Sequence, residues 1–195
     1  YSSVVGMLLC VSNNTRPDIT FAVSQVARFT ANPKKSHASA VKTIVRYLSR
    51  TADKGMYIKP DGTFDLTVHV DADFAGGYGR DSSKDPDSVK SRCGFVIGFG
   101  GVPLTWKSQL ISEICLSTTH SEYVALVQSL RTLIPIRTTV IDALKFFKLP
   151  ANEKPRICCK VFEDDQSVYV LVNNQKPAAT TKHFDVKWHW FWGCV

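Results

Sequence analysis

The spacing of apolar residues changes once along this chain, and that change limits the architectures open to it. Val4, Val5, Leu8 and Leu9 recur at helical spacing. Asn13-Asn14-Thr15-Arg16-Pro17 interrupts them with capping side chains and a proline suited to a helix's first turn. Phe21, Val23, Val26, Ala27 and Phe29 predict a second helix that stops near Asn32-Pro33. Ala38, Val41, Ile44, Val45 and Leu48 predict a third. Beyond Lys54 the period drops to two. Gly55-Met56-Tyr57-Ile58 is strand-like, and Leu66, Val68 and Val70 alternate with Thr67, His69 and Asp71. Residues 76–92 are polar and turn-rich. Cys93–Phe99 and Val102–Trp106 predict two strands joined across Gly100-Gly101. Ser117–Arg131 is helical, with Tyr123, Leu126, Val127 and Leu130 on one stripe. Pro135 is expected to kink or end that helix before it resumes over Val140–Phe147. A strand over Ile157–Phe162, a helix over Gln166–Asn173 and another over Asp185–Trp192 complete the pattern. The expected fold is α/β: a small helical segment, residues 1–54, then a mixed sheet with flanking helices, residues 55–195.

Charge divides at the same place. Residues 1–60 hold nine Lys or Arg against two acids, whereas residues 61–195 hold fifteen of each sign. A basic half beside a neutral half suggests a polyanionic partner. On the third helix Lys35, Lys42, Arg46 and Arg50 share the face opposite the apolar stripe, where they are candidate phosphate contacts. The six cysteines form no C-x-x-C pair and no zinc spacing, and they read as reduced, core-packed thiols, Cys158 and Cys159 included. No uninterrupted run of about eighteen apolar residues exists, so no membrane partner is expected. Both ends read as cut from a longer polypeptide.

Candidate chemistry rests on carboxylates. Asp71 and Asp73 share one strand face. Glu122 begins a helix and fits a capping box with Thr119. Asp164 and Asp165 follow an apolar strand, and Asp185 opens the last helical stretch, each also a plausible cap. Taken jointly they alternate between strand ends and helix starts, and the ends of neighbouring strands converge in space. Clustered acids repel unless cations neutralise them. Oxygen ligands without thiolates favour Mg²⁺ or Mn²⁺, and a pair of such ions suits phosphoryl transfer.

Five segments then resemble a known family. Val70-Asp71-Ala72-Asp73-Phe74-Ala75-Gly76 is similar to the D-x-D-W-A-G strand of copia-type ribonuclease H domains, and Trp106-Lys107-Ser108 to their W-x-S. Leu116-Ser117-Thr118-Thr119-His120-Ser121-Glu122-Tyr123 resembles L-S-T-A-E-A-E-Y. Glu163-Asp164-Asp165-Gln166-Ser167 resembles x-D-N-Q-S, and Thr181-Lys182-His183-Phe184-Asp185 resembles T-K-H-I-D. Thr15-Arg16-Pro17-Asp18 and Val45-Arg46-Tyr47-Leu48 are similar to the helical segment that links polymerase to ribonuclease H in these elements. The resemblance implies a ribonuclease H-like fold and an Asp–Glu–Asp–Asp set falling on Asp71, Glu122, Asp164 and Asp185. It implies two Mg²⁺ ions, with Mn²⁺ as a substitute. The implied substrate is the RNA strand of an RNA–DNA hybrid, touched also by Lys107 and Lys182. The polymerase domain of the same polyprotein is the implied partner, and the setting is intracellular, in a cytoplasmic virus-like particle or the nucleus. The family's carboxylate order also differs from the Asp–Asp–Glu of retroviral-type integrases. Departures, among them Asp165 for Asn and His120 for an acid, leave a second reading: a catalytically decayed nucleic-acid-binding module on the same fold.

Overall fold

The computed structural model describes residues 1–79, 86–147 and 157–174. Three helices come first: α1 (Ser2–Asn14), α2 (Thr20–Ala27) and α3 (Lys35–Arg50), with a 3₁₀ turn over Pro17–Ile19. Their stripes meet in one apolar cluster of Val5, Leu8, Ile19, Val23, Val26, Val41 and Ile44. Arg16 ties the turn to the end of α3. Its guanidinium donates to the Thr51 carbonyl at 3.0 Å and to Thr51 Oγ1 at 2.7 Å, and pairs with Asp18 at 2.8 Å. Tyr47 donates to the same Asp18 carboxylate at 2.8 Å.

The sheet has four strands in the order β3-β2-β1-β4. β1 (Leu66–Asp73), β2 (Arg92–Phe99) and β3 (Val102–Leu110) form an antiparallel meander, and β4 (Cys159–Phe162) adds parallel to β1. Between β3 and β4 runs α4 (Thr118–Phe146), and α5 (Gln166–Asn174) follows β4. Leu66, Val68, Val70, Phe95 and Ile97 face α4, whose Tyr123, Val124, Val127, Leu130 and Leu133 close a second core. By length and composition α4 would pass for a membrane span, but the sheet takes up its apolar stripe.

The other face of the sheet carries the helical unit on its β3 side. Trp106 Nε1 donates to the Ser12 carbonyl at 2.8 Å, and Arg92 Nη1 donates to Ser24 Oγ at 2.8 Å. The β1 side of this face stays open. A groove of about 340 Å³ there runs from Pro17 and Phe21 past Asp71 and His69 to Lys107.

Four expectations need correction. Residues 55–58 form no strand, and Tyr57 and Ile58 are 81% and 63% exposed. Both edges of β1, the strand this segment leads into, are taken by β2 and β4, and the segment pairs with neither outer edge of the sheet. Pro135 does not break α4, which runs unbroken past it. It and Arg131, whose carbonyl loses its bond, lie on the solvent side, where water substitutes. Cys10, Cys158 and Cys159 are exposed rather than core: Cys10 lies on α1, Cys158 just before β4, and Cys159 in β4, an edge strand with all four residues exposed. Ala38 is also exposed, leaving Val41 and Ile44 as the buried residues of α3. The helix expected over Asp185–Trp192, with Cys194, lies outside the described residues.

Two measurements probe this scaffold. Trp106→Phe keeps most of the ring but leaves the Ser12 carbonyl with only the long 3.5 Å bond from Thr20 Oγ1, and should lower unfolding free energy by ~1 kcal/mol in urea. An unchanged midpoint would mean that the indole bond is not holding the two layers. Asp18 is pulled down to about 2 from 3.8, first by Arg16's hydrogen bonds and then by Tyr47. Its contribution is therefore present above pH 3.8 and fades as pH falls towards 2. Asp18 is 38% exposed, so after screening the effect should be about 1 kcal/mol. Asp18→Asn should remove that slope from an acid-unfolding series and leave the rest of the profile alone.

Candidate metal centre

The parallel register of β4 on β1 positions the first two acids. Leu66 lies opposite Cys159 and His69 opposite Phe162. Two residues beyond the last pair, the same offset sets Asp164 level with Asp71, on the same face. Glu163, one residue earlier, falls level with Val70 and turns towards the α4 side. The third acid comes from α4. Ser117 caps that helix, its Oγ accepting from His120 N at 3.1 Å. The capping box expected between Thr119 and Glu122 is not what forms. Glu122 instead reaches the end of β1, where the Ala72 amide donates to its carboxylate.

Asp71, Glu122 and Asp164 each offer an oxygen, and these oxygens lie within 4.8 Å of one another. Asp71 and Asp164 are exposed, whereas Glu122 is 8% exposed. Oxygens sharing one Mg²⁺ at ~2.1 Å sit at most ~4.2 Å apart, so the observed spread is within a small side-chain adjustment of that arrangement. Glu122 Oε2 is shut off from solvent and has no hydrogen-bond partner. A buried carboxylate oxygen left without a donor costs stability unless a cation or a proton meets it. The donor set, all hard oxygen with no thiol or imidazole, suits Mg²⁺ or Mn²⁺.

Electrostatics agree with the geometry. Burial, followed by the charges of Glu163, Asp71 and Asp164, pushes Glu122 from 4.5 up to about 8. Glu163 is raised to about 7, again by burial first, then by Asp164 and Asp165 against backbone donors. Its Oε1 accepts from Asp165 N at 3.3 Å, while Oε2 is buried and unpartnered. Glu163 is the residue that reading the sequence missed. Its signal was parity: one residue before an outward-facing acid, it had to face inward.

The turn after β1 shapes the rim. Ala75 adopts φ +48° and Gly76 packs on Asp73, where a Cβ would overlap the carboxylate. Among the described residues Asp73 is not part of the three-acid group. Lys35, Lys42, Arg46 and Arg50 are exposed on α3, and Lys107 is exposed beside the groove that holds Asp71. Asp185 and Lys182 lie outside the described residues, as do the aromatic residues 188–192.

The chain is 36% identical over 190 residues, 97% of its length, to the retrovirus-related Pol polyprotein from transposon TNT 1-94 of Nicotiana tabacum. It is 34% identical over 123 residues, 63% of its length, to the Pol polyprotein from transposon RE1 of Arabidopsis thaliana. It spans only 13% and 8% of those two polyproteins. Over 129 residues, 66% of the chain, it is 33% identical to 85% of the secreted RxLR effector protein 161 of Plasmopara viticola. No protein-family model matches the chain, and no solved structure matches it.

Because the folded state holds the Glu122 proton more tightly than the unfolded chain, its contribution is full below pH 4.5 and drains away towards pH 8. Metal-free protein should therefore lose stability across that interval, on the order of a few kcal/mol. Mg²⁺ should restore it at pH 8 and do little at pH 5, because binding displaces the proton. Glu122→Gln should flatten both trends in thermal melts. Equal Mg²⁺ stabilisation of wild type and Glu122→Gln would remove Glu122 from the site.

Proposed function

Since the chain is similar to parts of retrotransposon Pol polyproteins, we propose that it is the ribonuclease H part of such a polyprotein, hydrolysing the RNA strand of RNA–DNA hybrids. The observation that carries this reading is the meeting of Asp71, Glu122 and Asp164 within 4.8 Å, with a buried, unpartnered Glu122 oxygen among them. Asp185, in the family's fourth position, would complete the set. These residues would hold two Mg²⁺ ions, which supply Lewis-acid polarisation of the phosphodiester and a low-pKa water. The chain's own work is positioning. Asp71 is paired to Gly94 of β2, two residues beyond the last β1–β4 pair, and opens onto the groove. Glu122 is locked by burial and by the Ala72 amide. Such rigid mounting fixes where the scissile phosphate must lie.

Recognition of a hybrid would rest on backbone and 2′-OH contacts rather than on base edges. Lys107 on the edge strand β3, Lys182, three residues before the fourth acid in the sequence, and Lys35, Lys42, Arg46 and Arg50 on α3 would meet phosphates. The polymerase of the same polyprotein is the expected partner. The site of action is intracellular, in a particle or the nucleus.

The purified chain should cut the RNA strand of a labelled hybrid only with Mg²⁺ or Mn²⁺. Asp71→Asn should lower that rate by at least ~100-fold while leaving hybrid binding intact. Binding by the parent chain without any cutting would instead support the catalytically decayed module. Cutting of DNA duplex without RNA would point to a transposase-like core. Lys42→Glu and Arg46→Glu should each reduce the slope of log affinity against log salt by about one. Slopes equal to wild type would take α3 out of the interface.

A further inference from the structure

Gly94 is a glycine that the described fold does not require. It lies inside β2, opposite Asp71 of β1 on one side and Ser108 of β3 on the other. A glycine inside a strand weakens it, and such positions mark a bulge, a left-handed residue, a crowded backbone or a close-approaching ligand. The register runs unbroken from Cys93 to Phe95 on both flanks, so there is no bulge. Gly94 is not among the positive-φ glycines. Among the described residues, a Cβ placed on it would meet only the Lys107 carbonyl at 3.8 Å, an ordinary contact. Gly98 in the same strand is the contrast: it sits at a register shift, and a Cβ there would lie 2.7 Å from Thr67 Oγ1.

What the missing side chain leaves is space beside the acid centre. Cys93, Phe95 and Ile97 turn into the core under α4, so Gly94 and Val96 face outward with Asp71. The row Asp71–Gly94–Ser108 crosses the sheet with no large side chain beyond the acid, over two strand spacings of ~4.8 Å each. Val96, Trp106 and Phe21 wall this row, and all of these residues line the groove of about 340 Å³. Asp164 stands on the other flank of Asp71, its oxygen within 4.8 Å. A side chain at position 94 would stand ~5 Å from that of Asp71 and fill the flank that is bare.

We propose that Gly94 is a specificity-determining residue, its bare backbone forming the floor over which the sugar–phosphate backbone of the strand to be cut comes up to Asp71. An ion held at ~2.1 Å by the Asp71 carboxylate, and binding a phosphate oxygen at the same distance, puts that oxygen within ~4 Å of the carboxylate. With Asp164 on one flank of Asp71, the nucleotide attached to that phosphate passes over the other, which is the Gly94 side. There the exposed Phe21 and Val96 side chains offer apolar surface to sugar carbons. The nucleic-acid occupant rests on the ribonuclease reading; the space that Gly94 keeps beside Asp71 does not.

The test grades the side chain at position 94 in the full chain, as Gly94→Ala, Gly94→Val and Gly94→Leu. Thermal melts with and without Mg²⁺ come first. Gly94→Ala and Gly94→Val should melt no lower than wild type and up to ~3 °C higher, because a strand gains by losing a glycine. Their Mg²⁺-induced shift should match that of wild type. A lower melting temperature for Gly94→Ala, or a lost Mg²⁺ shift, would mean that the chain itself needs the glycine, and overturns the proposal. Hybrid affinity is then read by fluorescence anisotropy in the Asp71→Asn background, where cutting is suppressed. It should weaken about twofold with Gly94→Ala, about tenfold with Gly94→Val and further with Gly94→Leu, in step with the volume added. The first two carry the readout if Gly94→Leu fails to fold. Equal affinities across the series overturn the proposal. Graded affinities beside a wild-type chain that cuts no hybrid would sink the ribonuclease reading and leave the role of Gly94 standing. Equal affinities beside a wild-type chain that cuts would do the reverse.

Discussion

The offset with which β4 lies on β1 is the constraint on which the candidate site depends. A parallel strand has period two, so a slip of one residue would exchange the faces of Glu163 and Asp164 and take Asp164 away from Asp71. Contacts spread over the whole short pair hold the offset. Leu66 N donates to the Cys158 carbonyl at 2.9 Å at one end, and His69 stacks on Phe162 at 4.6 Å at the other. Lys160 pairs with Asp65 at 2.7 Å alongside. A parallel pair also needs a long crossover, and α4 supplies it. The connection that makes the pairing parallel is therefore the one that brings Glu122 to the end of β1. Fold and site share one topological requirement.

The helical unit is attached by a different logic. Its own core is apolar, but its contact with the sheet uses Trp106 and Arg92, two large side chains whose polar atoms find the Ser12 carbonyl and Ser24 Oγ. Both acceptors lie on α1 and α2, so each bond specifies an orientation that apolar packing alone would leave loose. The outcome is an outer sheet face covered over β3 and open over β1. That asymmetry leaves Asp71 facing the open groove, while Lys107, level with Phe95, projects from the opposite face of the edge strand.

Much of this was legible in the sequence because side-chain period and face are local properties. The alternation from Leu66 to Asp71 forecast both the strand and the face on which its acids lie. The stripe of Tyr123, Val127 and Leu130 forecast the core helix. What local patterning could not supply was partner availability. Gly55–Ile58 has strand-like composition but leads into a strand whose two edges are already paired, and Cys159 is apolar-flanked yet sits on the outermost strand. Pro135 obeys the rule that it removes a helical bond, but not the inference that the helix must end, because solvent satisfies what it frees. Glu122 was readable as a cap or as a ligand. The structure removes the first: Ser117 caps the helix, and Glu122 lies buried against the Ala72 amide at the end of β1.

One departure from the resembled pattern is a second acid, Asp165, where that pattern has Asn. Its place in the fold gives the residue a structural role. Asp165 Oδ1 accepts from Ser167 N at 2.7 Å, and its carbonyl accepts from Val168 and Tyr169 at the start of α5. It is therefore the cap of that helix, a position where Asn and Asp serve equally and where the helix dipole favours the negative charge. The added charge is compensated where it stands. It raises Glu163 only as the smallest of the influences on that group, and it is not among those that raise Glu122. The substitution is accommodated by the local structure of α5, and the three converging acids do not have to absorb it.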